Sequence, residues 1–371
     1  IYIINADWYF NLHWMDRAIA ASKIYDVFVV CPSNNVDFIK KCKANNIGFI
    51  NFNMSRSGIN PLKEIKSVLK LRNIIKSLSP DVIHAVTIKP NLYLSLLFPK
   101  EPGIVLTFAG LGTLRTSSGI LGMLTMLFLK LVLARWNFKS NVRVLFENQE
   151  DMDFIASGIS IRSKHCYRVY GAGVDLELYN VTDFPETTPP FILFASRMLK
   201  DKGLQELVKA IKILNSQGLA CKLQVAGIID AESPLAFKES DIENMSKSGD
   251  FVWLGKRDDI AQLISQSIIV CLPTRYGEGV PRILIEALSC GRPIVTSSYG
   301  GCKDVCIDGE TGYIVDPENS NDLASALSKL IKQKMLAKNY GLNGRKLVEE
   351  KFSNEIIIRQ HLEFYSVVSG E

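Results

Sequence analysis

Short apolar runs recur along the whole chain, each followed by a polar turn and then by a longer stretch with helical spacing. In the first half the runs are "IYIIN", "DVFVV", "IGFINF", "DVIHAV", "GIVLTFA", "VRVLFEN" and "CYRVYGAGV". Each predicts a strand. Between them, "NPLKEIKSVLKLRNIIKSL" repeats apolar residues at three- and four-residue steps and predicts an amphipathic helix. Residues 180–190, "NVTDFPETTPP", are polar and Pro-rich and read as a linker. A second series then runs through "FILFAS", "CKLQVAG", "DFVWLG", "SIIVCLP", "RPIVTSS" and "GYIVDP", with helical patterns in the gaps and at the close. Strands alternating with helices predict an α/β protein with parallel sheets. The expected organisation is a doubly wound domain over 1–179, the linker, and a second one over 191–352, with 353–371 as a closing helix. Two such domains would face each other across a cleft. Ligands of these sheets bind beyond the carboxyl ends of the strands, so the turns after strands are where chemistry is expected.

One stretch departs from the pattern. Residues 119–136, "GILGMLTMLFLKLVLARW", are apolar apart from Lys130 and Arg135. The run is shorter than the roughly 20 apolar residues that cross a bilayer. It reads either as a buried helix or as a helix lying in a membrane interface, with Lys130, Arg135, Lys139 and Arg143 turned to head groups.

The chain has 371 residues, which suits two domains better than one core. Hydrophobic residues make up 47% and charged residues 22%, so the composition is globular rather than disordered. Charge is unevenly shared: residues 1–183 hold 21 Lys and Arg against 14 Asp and Glu, and residues 184–371 hold 22 against 24. A basic first half suits an anionic partner such as a phospholipid surface. The 8 cysteines form no Cys-x-x-Cys pair, and several sit in apolar runs, which predicts reduced buried thiols. Cys302 and Cys306 lie one helical turn apart without a histidine nearby, a poor metal site. The opening "IYIINADWYFNL" has neither a basic n-region nor a small-residue cleavage site, which predicts a protein kept in the cytoplasm.

Two turns in the second half carry candidate chemistry. In "SRMLKDKGLQELVKAI", Arg197 and Lys202 flank a loop, and Gly203 opens a helix. Two cations beside a helix N-terminus suit a diphosphate, because side chains and free amides both oppose its charge. In "TRYGEGVPRILIEALSCGRPIV", Glu278 stands between Gly277 and Gly279, and Glu286 lies inside the following helix. Arg282 precedes Glu286 by one turn, so a surface ion pair explains Glu286. Nothing of that kind explains Glu278.

"EGVPRILIE" matches the Glu-x7-Glu motif of retaining glycosyltransferases of family 4, which have the GT-B fold. The resemblance extends through "SRMLKDKG", "WLGKRDDIAQLI", "GGCKDVCIDGETGYIV" and the closing helices, and more diffusely through "NADWYFNLHWMDRA", "DVIHAVTIKPNLY", "TFAGLG", "VLFENQEDMDFI" and "GAGVDLELY". Within the family the chain resembles bacterial enzymes of O-antigen and protein-glycan assembly that act on undecaprenyl-diphosphate-linked acceptors. The resemblance implies two Rossmann-like domains, an N-terminal one for the acceptor and a C-terminal one for a UDP-sugar, with the closing helix packed back on the first. It implies that Arg197 and Lys202 hold the donor diphosphate and that Glu286 accepts from the ribose hydroxyls. Glu278 would hold the transferred sugar, with the amides of Gly279 and Val280 beside it and Lys256 and Arg257 near the base. It implies neither metal nor bound cofactor, and no nucleic acid partner. The expected activity is transfer of a hexose or N-acetylhexosamine, N-acetylgalactosamine first, to a polyprenyl-diphosphate-linked glycan at the inner face of the cytoplasmic membrane.

The first half departs from the commoner family pattern. The turn after the first strand is "NADWYFNLHW", offering Asp7 and His13 on the acceptor side, and Ala109 stands where many relatives have a histidine. His84, at a strand end, is the histidine nearest to a catalytic position. Four rivals compete with this reading. A metal-dependent transferase would use Asp151 and Asp153 of "EDMD", but these begin a helix, where acids complement the dipole. A dinucleotide oxidoreductase needs more than the two glycines of "GAGVDL". A hinged, non-catalytic sugar-binding protein, or a transferase acting on a soluble acceptor, are the remaining alternatives.

Overall fold

Each run read above as a strand forms one in the computed structural model, which describes residues 1–54, 60–112, 120–231 and 233–370. By internal contacts the chain divides into two units, Ile1–Ala172 with Asn354–Glu371, and Gly173–Ser353.

The first unit holds β1 (Tyr2–Ile3), β2 (Val27–Cys31), β3 (Ile47–Asn51), β4 (Val82–Val86), β5 (Gly103–Phe108), β6 (Val142–Phe146) and β7 (Cys166–Arg168). They pair in the order β3-β2-β1-β4-β5-β6-β7, all parallel. The strands read as nearly unbroken apolar runs because helices cover both faces. Alternate residues serve the two layers. Ile3, Val30, Ile83, Leu106 and Phe146 pack with the helices Pro61–Leu78, Ile88–Leu97 and Ile120–Ala134. Tyr2, Val29, Val86, Val105 and Leu145 pack with Asp7–His13, Met15–Ala21, Val36–Ala44 and Asn354–Ser369.

Local signals set the helix ends. Asn60 caps Pro61–Leu78 by accepting from the amides of Leu62 and Lys63, with proline at the first helical position. Asn148 caps Gln149–Ala156 in the same way, accepting from Asp151 N. The Asp151 carboxylate accepts from Leu111 N and Asn148 Nδ2, and Asp153 accepts from Gln149. Both acids of "EDMD" are therefore engaged in closing a helix start. The helix Asn354–Ser369 buries Ile357, His361, Tyr365 and Val368 in this unit. It lies so close to β5 that a Cβ at Gly103 would collide with the Val368 carbonyl.

The second unit repeats the plan with β8 (Phe191–Ala195), β9 (Lys222–Ala226), β10 (Phe251–Trp253), β11 (Ile269–Leu272), β12 (Ile294–Thr296) and β13 (Gly312–Ile314). Their order is β10-β9-β8-β11-β12-β13, again all parallel. Strand order reverses between β1 and β4 in one unit and between β8 and β11 in the other. These are the two places where a doubly wound sheet opens a crevice for a ligand. The Pro-rich stretch 180–190 belongs to the second unit by contacts. There the buried guanidinium of Arg292 donates to the Thr182 and Asp183 carbonyls at 3.1 and 2.7 Å.

Seven of the eight cysteines are buried, and Cys166 is partly exposed. The described part of the apolar stretch forms the helix Ile120–Ala134 and a 3-10 turn, Arg135–Phe138; Gly119 lies outside the described residues. Among the described residues no helix is long and apolar enough to cross a membrane. Its cations are held by the protein. Lys130 donates to Ser157 O and Oγ, Arg135 to Ser95 and Leu96 carbonyls, and Arg143 to Ser140 and Val142 carbonyls. Lys139 is buried and serves the carbonyls of Pro99, Lys100 and Pro102, and burial pushes its ammonium down to about 8. Lys130, Arg135 and Lys139 thus reach carbonyls of other segments, and Arg143 those of its own strand and the turn before it.

Candidate nucleotide-sugar site

The loops that follow β8 and β11 meet at the switch point of the second unit. Gly203 opens the helix Leu204–Ser216 with φ +82°, and a Cβ there would meet the Pro273 carbonyl. Only glycine combines that left-handed backbone with so close an approach. Arg275 N donates to Asp201 O at 2.7 Å, and Thr274 Oγ1 to the same carbonyl at 3.3 Å. Behind them Ser297, just past β12, donates to Thr274 O.

This stitching brings the sequence candidates together. Lys202 is 5% exposed, and its ammonium is bonded to the Glu278 carboxylate. Arg197 pairs with Asp230, in the turn after β9, at 3.0 Å. The Tyr276 ring lies 5.7 Å from the Arg197 guanidinium and 4.9 Å from the Lys202 nitrogen, so one aromatic ring serves both cations. Burial pushes the Lys202 ammonium down to about 7, and Arg197 adds to the push. Asp201 and Cys302 pull more weakly the other way. Two cations held this close, one of them reluctant to stay charged, suit an anion of more than one charge.

Glycines let the backbone close in around Glu278. A Cβ at Gly300 would collide with the Glu278 carbonyl, and one at Gly301 with that of Gly279. Val280 is buried, and Pro281 precedes the helix Arg282–Ser289. Glu286 lies within that helix, paired with Arg282 at 2.6 Å and hydrogen-bonded by the Tyr179 hydroxyl. The pair is not on the surface: Glu286 is 5% exposed. A carboxylate kept at such burial is costly unless its partners are well placed. Lys256 and Arg257 follow β10. Arg257 Nε donates to Asp259 at 2.7 Å, while Lys256 is largely exposed and lies 3.9 Å from Asp258. Their turn adjoins the others, since Gly227 N donates to Gly255 O and a Cβ at Gly227 would strike the Ser196 carbonyl.

The first-unit candidates are spread differently. Asp7 starts its helix after β1 and accepts from Ser33 Oγ at 2.5 Å. His13 ends the helix, with its ring 4.4 Å from that of Tyr9. His84 is 2% exposed, with Nδ1 against the Tyr365 hydroxyl at 2.8 Å and Nε2 against Thr107 Oγ1 at 2.7 Å. Burial holds its pKa well below the usual histidine value. Both ring nitrogens are occupied by the core, which leaves none for a sugar hydroxyl.

Sequence reasoning passed over Asp230, Tyr276 and Tyr179. The rule that chemistry follows strand ends reaches the first two, which lie in turns after β9 and β11. Tyr179 carried no signal, because its contact with Glu286 is made across sequence. Among the described residues no three His, Cys, Asp or Glu side chains gather as metal ligands do.

Known proteins bear on this geometry. Residues 181–347 match the family described as "Glycosyl transferases group 1", and residues 1–148 the family "Glycosyl transferase 4-like". The second half of the chain thus matches one glycosyltransferase family and its first half another. The chain is similar to the capsular polysaccharide biosynthesis glycosyltransferase CapM of Staphylococcus aureus, 32% identical over 178 residues. That match spans 48% of this chain and 46% of CapM. A longer match, 25% identical over 358 residues, covers 92% of the chain and 91% of its relative. That relative is the N,N'-diacetylbacillosaminyl-diphospho-undecaprenol alpha-1,3-N-acetylgalactosaminyltransferase of Campylobacter jejuni. Among solved structures, Anabaena Alr3699/HepE in complex with UDP superposes with a TM-score of 0.78 at 18% identity, covering 98% of both chains. The sucrose-phosphate synthase of Thermosynechococcus elongatus gives the same TM-score, identity and coverage. At these identities the likeness is one of fold, the two Rossmann-like sheets of GT-B glycosyltransferases.

Proposed function

We propose that the protein is a retaining, metal-independent transferase. It moves a hexose or N-acetylhexosamine, N-acetylgalactosamine first among them, from a UDP-sugar to a polyprenyl-diphosphate-linked glycan. It works at the inner face of the cytoplasmic membrane. The observation that carries this reading is the convergence of Arg197, Lys202 and Glu278 at the switch point of the second sheet. The activity of the Campylobacter relative and the UDP held by HepE support the choice of acceptor and nucleotide.

In this mechanism the donor diphosphate takes Lys202 from Glu278 and lies between Lys202 and Arg197. Glu278, so released, accepts hydrogen bonds from hydroxyls of the sugar. The bond from the anomeric carbon to the phosphate oxygen breaks, and the acceptor hydroxyl oxygen bonds to that carbon on the same face. The departing phosphate oxygen takes the hydroxyl proton. Negative charge grows on the diphosphate as the bond breaks, and preorganised cations there stabilise the transition state more than the ground state. Glu286 holds the ribose, with Arg282 and Tyr179 fixing its carboxylate. Lys256 and Arg257 lie towards the base, and the Gly279 and Val280 amides border the sugar.

A panel of nucleotide-sugars with a polyprenyl-diphosphate glycan, followed by NMR of the product anomer, tests the reading. Transfer with retained configuration, unchanged by chelator, is expected. Binding without transfer or UDP release would make the protein a binding module, and transfer to soluble sugars alone would move the acceptor. The two glutamates separate further. Glu286→Gln should weaken UDP by about 1.5–3 kcal/mol, the scale of a charged hydrogen bond, and raise donor KM. Glu278→Gln should leave UDP binding nearly intact and depress kcat, because it touches the group whose bond breaks.

A further inference from the structure

The helix Ile120–Ala134 buries one side and leaves the other bare. Leu129, Val132 and Leu133 are core residues, whereas Ile120, Met123, Leu124, Leu127, Phe128 and Leu131 are 46–78% exposed. Phe138, just beyond, is 91% exposed. Monomeric proteins rarely leave so many large apolar side chains together in water. On the same face of the sheet, the helix Pro61–Leu78 exposes Leu62, Ile65 and Leu69 along one stripe. The helix Ile88–Leu97 packs against both.

Charge points to what covers this face. Residues 60–143 carry 12 Lys and Arg against 3 Asp and Glu, more excess charge than the whole chain's net +5. On Pro61–Leu78 the residues Lys63, Lys66, Lys70, Arg72 and Lys76 are all exposed, and the one acid of that helix, Glu64, is paired with Lys89 at 2.9 Å. A second copy of the chain seated here would bring like charges together. An anionic bilayer satisfies both the apolar and the basic surface.

We infer that this face is a membrane-docking surface. The apolar side of Ile120–Ala134, with Phe138, inserts among the acyl chains, and the lysines of Pro61–Leu78 meet phospholipid head groups. Attachment is then chiefly apolar, and the cations of the apolar helix itself, which serve carbonyls, take little part. The inference extends the lipid-linked acceptor reading, but it stands on this surface and not on the donor site.

Co-sedimentation with vesicles of phosphatidylglycerol and phosphatidylcholine tests it, using the triple variant L124Q/F128Q/L131Q. All three side chains face solvent, so the variant should keep its Tm and its UDP affinity. It should bind vesicles at least about tenfold more weakly, since burial of several large apolar groups is lost. K66Q/K70Q/K76Q should weaken binding to anionic vesicles and leave the residual binding to phosphatidylcholine unchanged. Binding of the parent chain should survive 0.5 M salt in part, roughly as exposed charges are screened within a few ångströms there. Equal vesicle binding by parent and triple variant would overturn the inference. So would a parent that ignores vesicles but forms a dimer abolished by the triple change, which would give the face to a second copy. Loss of UDP binding in the parent would instead count against the donor site alone.

Discussion

If Lys202 holds the donor diphosphate as proposed, this one side chain couples binding to pH. Its ammonium is pushed down to about 7 by burial and by Arg197. Below that pH it is already charged and ready for a diphosphate. Above it, the donor must draw a proton from solvent on binding. Donor affinity should therefore hold level from pH 6 to 7 and fall by up to about tenfold for each further unit. Donor KM measured from pH 6 to 8.5 reads this directly. Lys202→Arg should flatten the profile, since a guanidinium stays charged throughout. The partners of Lys202 in the free protein, Glu278 and the Tyr276 ring, are groups it would leave or share when the diphosphate arrives.

At the scale of elements, the proposed donor site depends on how closely two loops approach. Gly203 and Gly218 both have left-handed φ, +82° and +79°, but a Cβ meets the Pro273 carbonyl at the first and open space at the second. Gly218→Ala should cost about 1–2 kcal/mol, the backbone term alone. Gly203→Ala should cost more and should also weaken the donor, because Lys202 is the preceding residue. Urea unfolding and UDP titration of both variants separate the two effects. The strands and most helices were legible in sequence because apolar period and capping residues such as Asn60 act locally. The Arg197, Lys202 and Glu278 turns were legible for a related reason, since strand ends mark where a doubly wound sheet does its chemistry. What sequence concealed was side-chain partnership. His84 looked available until Tyr365, 281 residues away, took one nitrogen and Thr107 the other. Nor did sequence show that Lys130 and Arg135 reach the carbonyls of Ser157, Ser95 and Leu96.

At the scale of the molecule, the chain leaves the first unit after Ala172 and re-enters it at Asn354. The residues on either side of the excursion are tied, Val174 N donating to Phe352 O at 2.9 Å. A chain ended at Ser353 loses Ile357, His361, Tyr365 and Val368 from the first core. Its first unit should lose protease resistance, while Gly173–Ser353 should still bind UDP; limited proteolysis with and without UDP checks both. The same excursion sets a schedule for biosynthesis. While the ribosome makes the intervening stretch of about 180 residues, at roughly 5–20 residues per second, the β4, β5 and β6 face waits some 10–40 s for its covering helix. The half translated first is thus the half completed last, and a nascent chain in that interval offers Val86, Val105 and Leu145 to any chaperone that reaches them first.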